Sequence, residues 1–314
     1  MILKNKLTFI SEFFFYINNQ IRKIYLNSKL YNNKISKIDY KALEYKPSPN
    51  LLDCIIKYDK KKSKIEDFYL NSIWTNKKIS EKDYKKLHSF FWLFSLDLKS
   101  SNKITQSIIL NWIENNQNYN PNNWEIDILS KRIISWLSNS KLSYENSDKI
   151  YKEQFNNNIK KQINHLINEI SRSSLLDDKM IGCSAIILAG LSFKDEKNLS
   201  YGLNLLKKII NFSFDSEMFP KSRNIRQLVF YLKYFILIRE WLKESQEEIP
   251  EYLNEIIFYL GQSFNFTWQN VNQSLLFNGN HITDNSDFDK YLKFHNYKFK
   301  SESKEYGGYT ILKN

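Results

Sequence analysis

Ile181-Gly-Cys-Ser-Ala-Ile-Ile-Leu-Ala-Gly-Leu191 contains no charged residue, and its large aliphatic side chains are interleaved with small ones. No polar stripe runs along it. A segment that is apolar nearly all round at helical length reads as a helix buried on most sides, and its small residues allow neighbouring helices to come close. No stretch of 18 uncharged apolar residues occurs anywhere in the chain, so the expected burial is in protein, with no integral membrane segment.

Working outward, the same helical pattern repeats on both sides. The apolar spacing predicts helices over 175–191, 199–212, 226–243 and 250–266, with Pro250 suited to a first turn. Upstream, a long helix is expected over 147–172, another from about Trp124 with Ile128, Leu129, Ile133, Trp136 and Leu137, and a shorter one with Ile104, Ile108, Trp112 and Ile113. Asn115 to Asn123 is polar and ends that shorter helix. Ser80-Glu-Lys-Asp83 offers a side-chain oxygen for free N–H groups and acidic residues for the helix dipole, a start signal for the helix through Leu87, His88, Phe91 and Trp92. Helices of this length joined by short links imply stacked antiparallel pairs. No repeat at 34 or 40 residues is visible, which disfavours the common solenoids.

Composition agrees. The 314 residues include only seven Gly and five Pro, too few for the turns of a sheet-rich fold. Hydrophobic residues at 42% and charged residues at 25% are those of a globular protein. Cys54 and Cys183 are too few for a disulfide framework or a four-thiolate metal site. Four scattered histidines give no metal-ligand spacing, and no phosphate loop or nucleophile elbow is present, so no cofactor or metal is expected. The net charge of +12 comes almost wholly from scattered Lys; Arg stands only at 22, 132, 172, 223, 226 and 239. Scattered Lys is a poor nucleic-acid signature, because clustered Arg makes the bidentate contacts. A basic surface does attract a polyanion such as an acidic polysaccharide.

The ends differ from the middle. Leu7 to Ile17 is interrupted by Glu12 and no small-residue cleavage site follows, so the N-terminus reads as an amphipathic helix with Phe9, Phe13, Tyr16 and Ile17 on one side, and a cytoplasmic location is expected. Residues 30–78 lack sustained period and read as an irregular wrapping segment. The expected division is 1–78 for this N-terminal part, 79–295 for the helical domain and 296–314 for the start of a further domain. Tyr306-Gly-Gly-Tyr-Thr-Ile-Leu312 reads as a β-strand without partners, which suggests a domain cut short.

Leu87-His88-Ser-Phe90-Phe-Trp92-Leu93, Ile109-Leu-Asn-Trp112-Ile113, Trp124 with Ser130-Lys-Arg132-Ile-Ile-Ser-Trp136-Leu137, Ala185-Ile-Ile-Leu188-Ala-Gly190-Leu191 and Glu217-Met-Phe-Pro-Lys-Ser222-Arg223-Asn224 follow one another in order. With Phe277-Asn278-Gly279 and Tyr306-Gly-Gly-Tyr309, this ordered set resembles the N-terminal helical domain of the heparinase II/III-like proteins. The resemblance implies an all-α fold, an incomplete α/α toroid of antiparallel helix pairs, followed by a β-sandwich domain of which only the first strand is present. A separate β-sandwich chain is then a partner to consider. It also implies polysaccharide-lyase chemistry on an acidic polysaccharide or oligosaccharide, and a periplasmic location as the alternative.

Such a lyase neutralises a uronate carboxylate, removes the C5 proton and protonates the leaving oxygen at C4. The resemblance places the family's Asn-His pair near Asp177-Asp178 and its Tyr-His pair near Gln227-Leu228, each to about one turn. Neither pair carries the expected chemistry, so β-elimination by this chain is in doubt. The alternative is a non-catalytic helical scaffold or protein-interaction domain.

The remaining polar candidates are few. Ser222-Arg223-Asn224 precedes a helix; Asn224 is either its cap or a neutral donor in catalysis, Arg223 either grips a carboxylate or sulfate or pairs with Glu217, and Glu217 is itself a substrate-binding candidate. Arg132 and Trp136 lie one turn apart on one helix face, an arrangement that suits sugar binding or a packed interface. His88 stands on an apolar face and reads as a buried, hydrogen-bonded His, His165 as exposed, and His281 as a catalytic candidate facing the cleft. Trp92, Trp112 and Trp124 read as core anchors.

Overall fold

The computed structural model describes residues 2–36, 42–48, 51–53, 74, 79–96, 101–269, 273–274, 285–299 and 305–310. The helices are α1 (Ile2–Leu26), α2 (Lys29–Ile35), α3 (Glu81–His88), α4 (Asn102–Asn115), α5 (Ile126–Ser138), α6 (Ser140–Ser143), α7 (Lys149–Glu169), α8 (Leu176–Ser192), α9 (Glu196–Ser213), α10 (Ile225–Glu244), α11 (Glu251–Thr267) and α12 (Ser286–Phe294). The expected capping start is present: Ser80 accepts from the Asp83 N–H at 3.1 Å at the head of α3.

The quoted stretch lies in α8, and Met180 to Ser192 is buried without a break. Two glycines inside a helix disfavour it by about 1 kcal/mol each. Burying Ile181, Ile186, Ile187, Leu188 and Leu191 returns about 1.5–3 kcal/mol apiece, so packing decides the conformation. Glycine lets α8 and α9 approach closely. A Cβ on Gly190 would stand 2.6 Å from the Leu199 amide nitrogen of α9, and one on Gly202 of α9 would meet Ile187 at 2.5 Å.

The helices form two layers. α5, α8 and α10 are successive neighbours in one layer, and α7, α9 and α11 run back along its other side. Each return is short, so the pairs are antiparallel, and the curved double layer is the incomplete α/α toroid expected from sequence. No helix among the described residues is long and apolar enough to cross a membrane.

An aromatic core seals the first pairs. Trp112, Trp124 and Trp136 are buried with Phe90 and Phe155. His88 is buried as expected and accepts from Trp112 Nε1 at 3.0 Å. His165 departs from expectation: it is buried, and its Nδ1 meets Tyr31 Oη at 2.7 Å. Its position on a long helix reads as exposed in sequence, but α2 covers that side of α7.

The ends also bring corrections. Along α1, Phe13, Phe14, Phe15 and Tyr16 are all exposed, so the aromatic side of this helix is not packed on the body. The segment read as irregular lies mostly outside the described residues, and its start is helical instead, forming α2. The C-terminal strand is not unpaired: Glu305–Tyr306 (β3) pairs antiparallel with Tyr309–Thr310 (β4), a second hairpin after Trp268–Gln269 (β1) and Gln273–Ser274 (β2). Gly307 and Gly308 have φ of +57° and +77°, the two positive angles that a tight hairpin turn demands.

Candidate functional site

α8 is apolar from Met180 onward, after Asp177, Asp178 and Lys179 in its first turn, and polar residues also stand at the starts of α5 (Asp127) and α10 (Arg226, Gln227). These first turns meet at one end of the toroid and make a polar rim. Gln227 Nε2 of α10 donates to Asp177 Oδ1 of α8 at 3.0 Å. Ser222 Oγ donates to Gln227 Oε1 at 2.6 Å, so a hydroxyl, an amide and a carboxylate form one chain. On α5, Lys131 Nζ pairs with Asp127. The two positions to which the sequence reading assigned the family's catalytic pairs are thus in direct contact, although they are 50 residues apart in sequence.

The rim is acidic. Burial first, then the Asp127 charge, raises the Asp178 carboxyl above the usual carboxylate range; Asp177 and Glu125 add to this and Lys131 opposes it. Asp178 therefore holds its proton to higher pH than an ordinary Asp. Beneath the rim, Tyr231 is buried, lies 3.5 Å from Ser213 Oγ and has its pKa pushed up to about 12, chiefly by burial. Its sequence signal was a tyrosine one turn after Gln227 on the helix already singled out.

At the head of α10 the capping reading of Asn224 holds. Its side-chain oxygen accepts from the Arg226 and Gln227 N–H groups at 2.9 and 3.3 Å. Arg223 adopts a left-handed backbone at φ +56° and pairs with Asp215. Asp215 also accepts from the Glu217 and Phe219 N–H groups at 3.0 and 2.9 Å. The loop is thereby organised around Asp215, with Glu217 exposed on it. Tyr309 Oη of the last hairpin donates to the Arg223 carbonyl at 3.0 Å and secures the loop from the other side.

Arg132 and Trp136 are placed inside the core, not on a surface open to a ligand. Their face of α5 turns onto the elements around α3, α4 and α7. Arg132 donates to Gln162 Oε1 at 2.8 Å and to the carbonyls of His88 and Asn123 at 2.9 and 3.0 Å. The structure therefore separates Arg132 and Trp136 from Glu217, Arg223 and Asn224. His281 and Phe277-Asn278-Gly279 lie outside the described residues. Among the described residues, no group of three His, Cys, Asp or Glu side chains is placed to hold a metal ion.

No family model matches the chain, and no curated protein matches it in sequence. Among solved structures, it is similar to the crystal structure of the heparan sulfate lyase HepC from Pedobacter heparinus, with a TM-score of 0.56 over 86% of this chain. Identity over the match is 13%, which makes this a likeness of fold. The match takes in 44% of the HepC chain, so the present chain spans less than half of that protein's length.

Proposed function

We propose that this chain is a polysaccharide-lyase-type helical domain that binds an acidic polysaccharide through its basic surface, with the polar rim of its inner helices selecting which units of the polymer are accepted. The observation that carries the reading is the Gln227–Asp177 contact, which joins polar first turns of neighbouring inner helices into one surface on a toroid of the lyase type. The net charge of +12 supplies long-range attraction for a polyanion, and the rim carboxylates set where an anionic unit is not accepted.

Eliminative cleavage is not part of the proposal. The described rim offers one carboxyl with a raised pKa, Asp178, as an acid. It offers no histidine as a base: His88 and His165 are core residues and His295 follows α12. An anionic rim also opposes the carbanion-like charge that elimination builds at C5.

Affinity electrophoresis of the full chain through gels containing heparan sulfate, alginate, pectate or uncharged dextran tests the reading. Retardation by at least one acidic polymer at low salt, relieved by added salt, is expected. Free passage through all three acidic gels would remove the proposal. Release of unsaturated uronate absorbance on incubation with any of them would overturn its non-eliminative part.

A further inference from the structure

Glu125, immediately before α5, belongs both to the neighbourhood of Asp178 and to the wall of a cleft of about 710 Å³. Trp74, Tyr84, Lys85, Asn116 and Asn123 line the same cleft. Its volume lies in the range of small-molecule sites, about 300–1,000 Å³.

The hydrogen-bond order on its wall is fixed by the protein. Asn116 Nδ2 donates to the Trp112 carbonyl at 2.9 Å, so Asn116 Oδ1 faces Asn123. That oxygen accepts from Asn123 Nδ2, which leaves Asn123 Oδ1 as the end of the chain. Asn123 is 1% exposed, and its Oδ1 has no hydrogen-bond partner among the described residues. A buried acceptor left in this state is unfavourable by about 1–3 kcal/mol. The ligand that satisfies it must bring a donor, which a carboxylate or sulfate cannot do.

The charges in the wall point the same way. Lys85 Nζ is shared between Glu125 and Glu81 at 3.0 and 3.1 Å, so two carboxylates surround the ammonium. The lining thus accepts hydrogen bonds and carries an excess of negative charge. Tyr84 adds a partly exposed ring, held in orientation by a His88 ring 4.1 Å away.

We propose that this cleft is a subsite for one uncharged, hydroxyl-rich pyranose unit of the bound chain. Asn123 Oδ1 accepts from a ring hydroxyl, Glu125 accepts from a second, and Tyr84 supplies the flat apolar face for the C–H side of the sugar. The inference rests on the polysaccharide-binding reading above and deepens it: acidic units lie elsewhere, and an uncharged unit is read here.

Saturation-transfer NMR with the full chain and cellotetraose, maltotetraose or chitotetraose tests this, alongside heparan sulfate gels. Wild type and Tyr84→Phe are expected to transfer saturation to at least one tetraose. Tyr84→Ala is expected to bind it at least fivefold more weakly while keeping its circular dichroism spectrum. Asn123→Ala is expected to follow Tyr84→Ala; where it fails to fold, the two Tyr84 variants carry the test. Retention on heparan sulfate with no transfer to any tetraose would overturn the subsite and leave the polysaccharide-binding reading standing. Transfer to a tetraose without retention on any acidic polymer would support the subsite and sink the acidic-polymer reading. Equal tetraose binding by wild type and Tyr84→Ala would overturn the subsite outright.

Discussion

The guanidinium of Arg132 stands 4.1 Å over the Trp112 ring in a fully buried position. Its hydrogen bonds run to an amide and two carbonyls, so the charge is held by dipoles and a π face. Removing it leaves the carbonyls of His88 and Asn123 without that donor. Arg132→Met is therefore expected to lower stability by about 3 kcal/mol, read as a shift of the urea midpoint at unchanged slope.

Burial holds both His88 and His165 at a pKa of about 3, against an ordinary value of 6.5. His88 Nδ1 accepts from an indole N–H, which can only donate, so protonation at that nitrogen sets two donors against each other. Between pH 6.5 and about 3 the unfolded chain binds protons that the folded chain refuses. Stability is thus fully present above about pH 6.5 and falls with acidification by about 1.4 kcal/mol per pH unit for each histidine. Replacing His165 by Gln is expected to flatten the pH dependence of the urea midpoint between pH 6 and 4. An unchanged slope would count against burial of the ring.

Gly190 is where α8 meets the backbone at the start of α9. Because the obstructing atom is an amide nitrogen and not a side-chain tip, the contact cannot relax by rotamer change. Gly190→Ala is expected to destabilise the fold by about 1–3 kcal/mol despite alanine's better helix propensity. Thermal melts of the pair decide the sign.

Asp178 has a raised pKa, so the folded state disfavours its charged form. The associated stability is present at low pH and lost as pH rises through the raised pKa. Asp178→Asn is then expected to raise the melting temperature at pH 7, with the gain shrinking towards pH 4. The same change removes a negative charge from the rim, and retention on heparan sulfate should rise.

Asn224 caps α10 through two backbone N–H groups. Asn224→Ala is expected to lower stability by about 1 kcal/mol, and Asn224→Ser to restore most of it. Retention of Asn224→Ala on acidic gels at a temperature where it is folded separates capping from ligand contact, since a cap alone leaves retention unchanged.

Several helices were legible because a 3.6-residue apolar period follows a start signal, as at Ser80 and Asn224. The quoted segment of α8 was legible because no other placement suits so many small and aliphatic residues. Burial of single polar residues was less legible. His165 lies between Asn164 and Leu166 on a long helix, and only the long-range approach of Tyr31 on α2 shows that it is enclosed. Arg132 carries a charge that usually marks a surface, yet carbonyls from two other segments draw it inside. Asp177 and Gln227 were each singled out, but their contact depends on how two helices pair. The polar run from Asn115 to Asn123 was read as the end of a helix. Its role as a cleft wall needs Trp74 and Tyr84, which sequence separation hides.

The contrast between the polar start and the apolar body of α8 has a consequence for how such a protein changes over generations. The buried shaft of α8 carries folding free energy, and the recognition proposed above falls on a few residues at helix starts. Helix starts of this kind tolerate single replacements at little risk to the scaffold, so under that proposal ligand preference changes on an unaltered frame.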